Sequence, residues 1–294
     1  MSLLRLRTFV EVYRQRSMSG AARTLNITQP AVSQHILGLE IAIGRKLFER
    51  GGRGVAPTIA ADELAADIGD SLDAAELALS TARARSPELE GAIQLIGHAD
   101  FLAELVAPRL RPVLETGLRV RFHTAARDLF GPMLIEGHCD IGLAAYPGND
   151  PRIRVEPVRS EAIMAVASPE VAAAINAAAD FEGAVRSQPL AAYDFELPML
   201  SQWCDHHRFG PAPLGPAVVS QDLRALRAII CSGFGWTVMP EYMCHAAISS
   251  GELVEFGAKE PRPRVDYFML WTPASLRHPR IAHARQNLLW ALKN

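Results

Sequence analysis

Apolar residues at the start of the chain recur at helical spacing. Leu3, Leu6, Phe9, Val10 and Tyr13 lie within a few positions of one another, with polar and basic residues between them. This spacing places all five on one side of a helix, so the pattern predicts an amphipathic helix that packs within a small module.

Two shorter helices and a hairpin are predicted next. A break at residues 17–19 precedes a second helix, and residues 26–28 (Asn-Ile-Thr) indicate a tight turn, since Asn tolerates the left-handed conformation and Thr caps helices. A third helix has Pro30 in its first turn, where proline is accepted, and runs to about Glu40. The glycine-rich residues 51–54 predict a hairpin tip.

A long helix is predicted over residues 58–85, which contain no proline. Its apolar positions repeat at three- and four-residue spacings, as in the seam of a coiled coil. A helix of this kind between two domains indicates pairing with a second chain, while packing against its own chain stays open as the alternative. The predicted dimerisation residues are Leu64, Ile68, Leu72 and Leu79.

The rest of the chain alternates between short apolar strands and helices. Strands at residues 92–96, 118–123 and 139–144 are separated by helical patterns, which predicts a parallel sheet with helices on both faces. A similar alternation between residues 162 and 239 predicts a second lobe, with a ligand cleft between the lobes. The predicted domains are residues 1–58, 59–86 and 87–294, with lobe I at about 91–161 and 267–294 and lobe II at about 162–266.

Charge is distributed unevenly along the chain. Residues 1–58 contain nine arginine and lysine residues against three glutamates, although the whole chain carries a net charge of −2. A basic module on an acidic body indicates a polyanionic partner, with a solvated basic surface as the alternative. No apolar run is long enough for a membrane span or a signal peptide. The few, unpatterned cysteines are typical of a reducing compartment, so a cytoplasmic location is expected.

Residues 17–39 have the layout of a helix-turn-helix. On the third helix, Val32, Ile36 and Leu39 form the side predicted to be buried. The opposite side presents hydrogen-bonding groups near the helix start, which is what reading base edges in the major groove requires. The alternative is two helices that pack in an ordinary domain. The predicted exposed residues are Pro30, Ser33, Gln34 and Leu37.

Several motifs resemble those of LysR-type transcriptional regulators. Residues 19–22 (Ser-Gly-Ala-Ala), 28–33 (Thr-Gln-Pro-Ala-Val-Ser) and 47–50 (Leu-Phe-Glu-Arg) are similar to the DNA-binding module of that family. Residues 136–142 and 232–240 resemble its Gly-x-x-Asp and Gly-x-Gly segments. The resemblance covers essentially the whole chain and is most specific in the first 60 residues.

The resemblance implies an α/β protein with an N-terminal winged helix-turn-helix, a long linker helix and a two-lobed effector domain like periplasmic binding proteins. It implies homodimers or homotetramers that bind double-stranded operator DNA and respond to a small-molecule effector. A solute-sensing protein without specific DNA binding is the alternative. Gln29 would read a base edge, Pro30 would contact a thymine methyl group and Ser33 would hold a phosphate or sugar. The implied DNA-binding set is Thr28, Gln29, Pro30, Ser33, Gln34, Arg50 and Arg53.

The resemblance also places an effector pocket at loops of both lobes. Arg127, at a predicted helix start, could clamp the carboxylate of an organic acid or amino acid, and Asp100 could receive an ammonium group. The alternatives are that Arg127 is a surface cation and that Asp100 caps its helix. The expected lining is His98, Asp100, Phe101, Arg127, Tyr146 and Tyr193.

Residues 204–207 (Cys-Asp-His-His) could suggest a metal site. Cys204 and His207 lie one helical turn apart, but no second ligand pair with matching spacing accompanies them. We therefore expect no metal and no other cofactor. Because neither a nucleophile–base pattern nor a phosphate-binding loop is present, the chain is also predicted not to be an enzyme.

Overall fold

The first module consists of three helices and a hairpin, as the sequence predicts. The computed structural model describes residues 3–51, 54–84, 91–125, 127–210 and 215–293. The third helix runs to Ile43, slightly beyond the predicted end. The elements of this first module are α1 (Leu3–Gln15), α2 (Met18–Leu25), α3 (Gln29–Ile43), β1 (Phe48–Gly51) and β2 (Gly54–Pro57).

Local side chains define the helix ends of this module. The Ser17 hydroxyl accepts a hydrogen bond from the Gly20 amide and so caps α2, which ends at Asn26 in the left-handed conformation. Thr28 caps α3 in the same way as Ser17 caps α2. The Glu40 carboxylate accepts the Leu47 amide at 2.8 Å and thereby ties α3 to the hairpin.

The linker helix α4 (Ile59–Ala84) packs on its own chain. Leu64, Ile68 and Leu72 are half-buried against the apolar core of the first module. The predicted seam therefore makes intrachain contacts over these three residues, which was the alternative interpretation. The side chain of Leu79 lies outside the described residues.

Three parallel strands form one half of the main sheet. β3 (Ala92–Gly97) lies between β4 (Arg119–Thr124) and β5 (Ile141–Ala144). The helix predicted after β3 is divided by Pro108 and Pro112 into short pieces, and the one predicted after β4 begins as a 3-10 turn. These segments are α5 (Ala99–Phe101), a π-helical turn (Leu102–Val106), 3-10 turns (Ala107–Arg109 and Arg127–Leu129), α6 (Arg111–Leu114) and α7 (Phe130–Ile135).

The prediction of a parallel sheet is confirmed for β3, β4 and β5, and two long antiparallel strands extend this sheet and join the lobes. β6 (Arg154–Ala167) pairs antiparallel with β11 (Arg264–Trp271), and β11 pairs antiparallel with β5. The sequence analysis placed only residues 162–167 in a strand, because the preceding residues are mostly charged or polar and include a proline. In the described residues one sheet of seven strands consequently continues from lobe I into lobe II.

Lobe II packs around aromatic side chains. Trp203, Trp236 and Phe256 are almost fully buried in one of its cores, and β9 and β10 extend the sheet on β6. The chain then returns to lobe I through β11. The remaining elements are α8 (Pro169–Asn176), α9 (Phe181–Ser187), β7 (Ala191–Ala192), α10 (Pro198–His207), β8 (Val218–Val219), α11 (Leu223–Cys231), β9 (Trp236–Pro240), α12 (Glu241–Ser249), β10 (Val254–Glu255), a 3-10 turn (Ser275–Arg277) and α13 (Pro279–Lys293).

Gly235 sits where a side chain cannot fit. Its φ is +61°, and an added Cβ would overlap the carbonyl oxygen of Pro189. We expect Gly235→Ala to lower the free energy of unfolding by about 2–4 kcal/mol, from backbone strain together with the steric overlap. Gly251→Ala is the matched control, because its φ of +78° is similar but nothing lies within 4 Å of the added Cβ. Equal losses in urea denaturation would contradict the steric part of this explanation.

Candidate nucleic-acid interface and ligand cleft

The exposed face of α3 carries the predicted base-reading residues. Gln29, Pro30, Ser33 and Gln34 are all exposed, while Val32 on the opposite side is fully buried. The Gln29 amide donates a hydrogen bond to the Ser33 hydroxyl at 3.2 Å. These two side chains are therefore held together at the start of the helix, in a position to contact base edges or phosphates.

Two other predicted DNA-binding residues, Thr28 and Arg50, also have structural roles in the first module. The Thr28 hydroxyl accepts from the Ala31 amide at 3.4 Å, so Thr28 also caps the helix. The backbone of Arg50 pairs with Val55 in the hairpin. The side chain of Arg50, and all of Arg53, lie outside the described residues.

Two arginines of α1 form ion pairs with the linker helix. The Arg14 guanidinium bonds Asp73 at 2.6 Å, and Arg7 pairs with Glu76. Asp73 and Glu76 are three residues apart on α4, so they share one helix face. These two arginines consequently neutralise the linker and are not free to contact DNA phosphates.

The same two carboxylates also bind arginines of lobe I. The Arg154 Nε donates to Asp73 at 2.7 Å, and the Arg277 Nε donates to Glu76 at 3.3 Å. Each carboxylate therefore bridges the first module and lobe I. We call this arrangement the ion-pair cluster, and its members are Arg7, Arg14, Asp73, Glu76, Arg154 and Arg277.

A cleft of about 290 Å³ lies between the two lobes. The lobes contact each other across it: the Tyr193 hydroxyl is hydrogen-bonded to His98 Nδ1 at 2.9 Å, and Arg127 lies 3.9 Å from the Glu196 carboxylate. The volume is at the lower end of the range of small-molecule pockets. Five of the six predicted effector residues line this cleft: His98, Asp100, Arg127, Tyr146 and Tyr193.

Phe101 does not line the cleft, so its inclusion in the pocket was wrong. It is fully buried in lobe I, where its ring stacks on Tyr267 with 4.3 Å between the centroids. Its neighbour Asp100 faces the cleft because consecutive residues of a helix point about 100° apart. Adjacency along the chain therefore does not give adjacency in the site.

His98 and Asp100 form the buried polar part of the cleft. Burial lowers the pKa of His98 to about 4, with the nearby Arg127 adding to the effect, so the ring is neutral at physiological pH. Burial also raises the pKa of the Asp100 carboxyl, although the Tyr242 hydroxyl donates to it at 2.6 Å. His98 Nε2 and Asp100 Oδ1 are buried and have no hydrogen-bond partner among the described residues.

Arg127 lies at the mouth of the cleft and is two-thirds exposed. Its guanidinium lies 4.5 Å from the centre of the Tyr146 ring, a cation–π arrangement, and the Tyr146 hydroxyl donates to the Arg127 carbonyl at 2.9 Å. A ligand carboxylate would have to compete with Glu196 for this arginine.

Sequence reasoning missed several residues of the cleft. Tyr267 comes from β11, far along the chain from the loops that the family pattern indicated, and Met199 and Gln202 come from α10, which follows the predicted Tyr193. Tyr242 binds Asp100 from α12. No local motif marks Tyr267, because it is the pairing of β11 with β6 that brings it to the cleft.

Two side chains of residues 204–207 are engaged in other contacts. Cys204 is buried in the core of lobe II, and the His207 ring nitrogens contact the carbonyl oxygens of Trp203 and Gly257. Within the described ranges no three His, Cys, Asp or Glu side chains are grouped so as to hold a metal ion. Across those ranges there is also no helix with the length and apolar character needed to cross a bilayer.

A winged helix-turn-helix followed by a linker helix and a two-lobed ligand-binding domain defines a ligand-responsive transcriptional regulator. The model of the bacterial regulatory helix-turn-helix protein, lysR family, matches residues 3–62, and that of the LysR substrate binding domain matches residues 86–292. The chain belongs to the LysR family. It is a LysR-type DNA-binding transcriptional regulator with a substrate-binding domain for a small-molecule effector. Regulators of this type bind operators and form oligomers.

Several known transcriptional regulators are similar to this chain over nearly the whole length of both proteins. The HTH-type transcriptional regulator AbaB of Streptomyces antibioticus is 32% identical over 295 residues, which covers 97% of each chain. CrgA of Neisseria meningitidis, a solved LysR-type regulator, has a TM-score of 0.62 at 21% identity and covers 100% of both chains. ArgP of Mycobacterium tuberculosis has a TM-score of 0.59 at 21% identity, with 99% of this chain and 97% of that chain covered.

The ion-pair cluster predicts a difference between two neighbouring aspartates. We expect Asp73→Ala to lower the free energy of unfolding by about 1–3 kcal/mol, because the largely buried Arg14 guanidinium loses its carboxylate. Asp70→Ala is the control: this carboxylate also pairs with Arg154, at 3.0 Å, but it is 91% exposed, and its loss should cost less than about 0.5 kcal/mol. Urea denaturation measures both, and an equal effect would contradict the bridging role of Asp73.

Proposed function

We propose that the chain controls transcription by reading an operator with α3, and that a small metabolite in the cleft changes operator binding or promoter geometry. The observation that carries the DNA-binding half is the exposed, hydrogen-bonding face of α3 on a basic module. The cleft supports the effector half, because polar groups of both lobes meet there and Asp100 Oδ1 lacks a partner among the described residues.

The proposed DNA-binding residues keep the roles that the resemblance implies. Gln29 reads a base edge, Ser33 contacts the backbone, and Arg50 and Arg53 reach phosphates or the minor groove from the wing. Effector binding is assigned to residues 98, 100, 127, 146 and 193. The proposed effector is a small metabolite such as an organic acid or amino acid, and the rival proposal is a solute sensor without specific DNA binding.

We also propose that the regulator acts as a symmetric dimer or tetramer in the cytoplasm and catalyses no reaction. Two recognition helices about 34–36 Å apart would then meet successive major grooves. Since Leu64, Ile68 and Leu72 face their own module, the other side of α4 would take part in pairing. Ile59, at the start of this helix, is 75% exposed.

The regulatory relatives support the non-enzymatic assignment. The domain boundaries at residues 58 and 86 stay predictions.

Gln29 tests which residues read sequence. On DNA from upstream of the chain's own gene, Gln29→Ala should weaken binding by about 1–3 kcal/mol, because a bidentate base contact is lost. On a scrambled duplex the same change should have little effect. Gln286→Ala, at an exposed glutamine of α13 in lobe I, is the control and should leave both affinities unchanged. Electrophoretic mobility shift across a salt titration measures them.

Either of two outcomes would contradict these assignments. If the unmodified protein bound its upstream region no better than the scrambled duplex, the sensor without specific DNA binding would be favoured. If Gln29→Ala weakened both complexes equally, Gln29 would be a backbone contact and would not read bases.

A further inference from the structure

We propose that the ligand of the cleft is a small organic amine whose protonated nitrogen pairs with the Asp100 carboxylate. This inference rests on the proposed role of the cleft as the effector site, and it names the chemical class of that effector. It differs from an assignment based on Arg127 alone, which would select an acid.

Asp100 is a buried carboxylate that the protein only half satisfies. Only 2% of the surface of Asp100 is exposed to solvent. Oδ2 accepts a hydrogen bond from Tyr242 at 2.6 Å, while Oδ1 is buried and has no partner in the described part of the chain. Leaving a buried carboxylate oxygen unbonded costs more than leaving a neutral group unbonded, so such an atom in a cleft indicates a missing donor.

The charged side chains near Asp100 are already paired with other groups. Arg224 forms hydrogen bonds of 2.9 and 2.7 Å with Asp222, and Arg127 is directed at Glu196 and the Tyr146 ring. Over the described ranges, Asp100 is in no ion pair with an arginine, lysine or histidine. A ligand is therefore the remaining source of a cation.

Apart from Arg127 at its mouth, the other walls of the cleft also favour a cation. Asp194 adds a second carboxylate, and His98 contributes no charge at neutral pH. The rings of Tyr193 and Tyr267 can attract a cation and pack against an apolar chain. An ammonium group offers three donors, which is enough for Oδ1 and for neighbouring acceptors.

If Asp100 were protonated, the cleft would favour a ligand with a carboxylate and not one with an ammonium group. Burial raises the pKa of this carboxyl, and a neutral acid would donate to a ligand carboxylate. The two cases differ in their dependence on pH. With a raised folded-state pKa, the stabilising contribution of Asp100 is present below pH 3.8, its ordinary pKa, and is lost as the pH rises through the folded-state value.

The ligand-free protein therefore gives a first measurement. Asp100→Asn keeps an acceptor for the Tyr242 hydroxyl and removes the buried charge, so it should raise the Tm by about 2 °C or more at pH 8. The gain should shrink as the pH falls toward 4. Asp128→Asn is the control, since it removes an exposed carboxylate beside Arg127, and it should change the Tm little at either pH. A Tm of Asp100→Asn equal to or below that of the unmodified protein at pH 8 would overturn the proposal.

The ligand class is tested with matched compounds. Thermal shift is measured with leucine, phenylalanine and tyrosine, with the amines that lack their carboxylate (isoamylamine, phenethylamine, tyramine), and with the corresponding acids that lack the amino group. We expect amines or amino acids to raise the Tm by about 3–5 °C at ten times their Kd. The acids should give no shift. Asp100→Asn should weaken the binding of the best amine about 10-fold or more, and Asp128→Asn should change it by less than about twofold.

The contrary outcomes separate this inference from the proposed function. Stabilisation by the acids alone, or an amine affinity that Asp100→Asn leaves unchanged, would overturn the amine assignment and leave the cleft as an effector site. The absence of a shift with every compound would also overturn the amine assignment. Operator binding, measured separately by mobility shift, would then decide whether the regulatory function stands.

Discussion

Two carboxylates on one face of the linker helix bridge the module that carries the DNA-reading helix and the lobe that lines the effector cleft. Asp73 and Glu76 each bind one arginine of α1 and one arginine of lobe I. Removing one of these carboxylates should cost more than removing a member of an exposed ion pair, because the acidic side chains are only 16% and 11% exposed and their arginines would lose a partner away from solvent. The first module, α4 and lobe I are consequently joined by directional contacts, while Leu64, Ile68 and Leu72 supply apolar contact nearby.

Lobe II reaches this assembly through the sheet and through the cleft. β6 runs from lobe I, where it pairs with β11, into lobe II, where it pairs with β9. Across the cleft, the lobes touch through polar contacts that a ligand can replace, such as Tyr193 with His98. A ligand that bonds both walls would favour one arrangement of the lobes by its difference in affinity for the two.

The helices of the first module could be predicted because their capping residues act locally. Several cleft residues could not be predicted, because pairing between distant strands brings them together. Ser17, Asn26 and Thr28 act on the chain within a few residues, so their positions gave the helix ends directly. The N-terminal part of β6 was missed because it does not have the apolar run of a buried strand, so the antiparallel half of the sheet was not predicted. Phe101 was misplaced because its orientation depends on packing against Tyr267, which lies more than 160 residues away along the chain. The apolar stripe of α4 was predicted correctly, and because Leu64, Ile68 and Leu72 pack only partly on their own module, their pairing with a second chain stays a prediction.

As a LysR-type regulator, this chain should recognise a specific DNA sequence as a symmetric assembly. DNase I protection with the purified protein, on the DNA upstream of its own gene, measures this directly. We expect two protected half-sites whose centres are about 10 base pairs, or a multiple of this, apart. Affinity should exceed that for a scrambled duplex by about 10³-fold or more at physiological salt. Protection that is uniform along the DNA, or equal affinity for both duplexes, would contradict it.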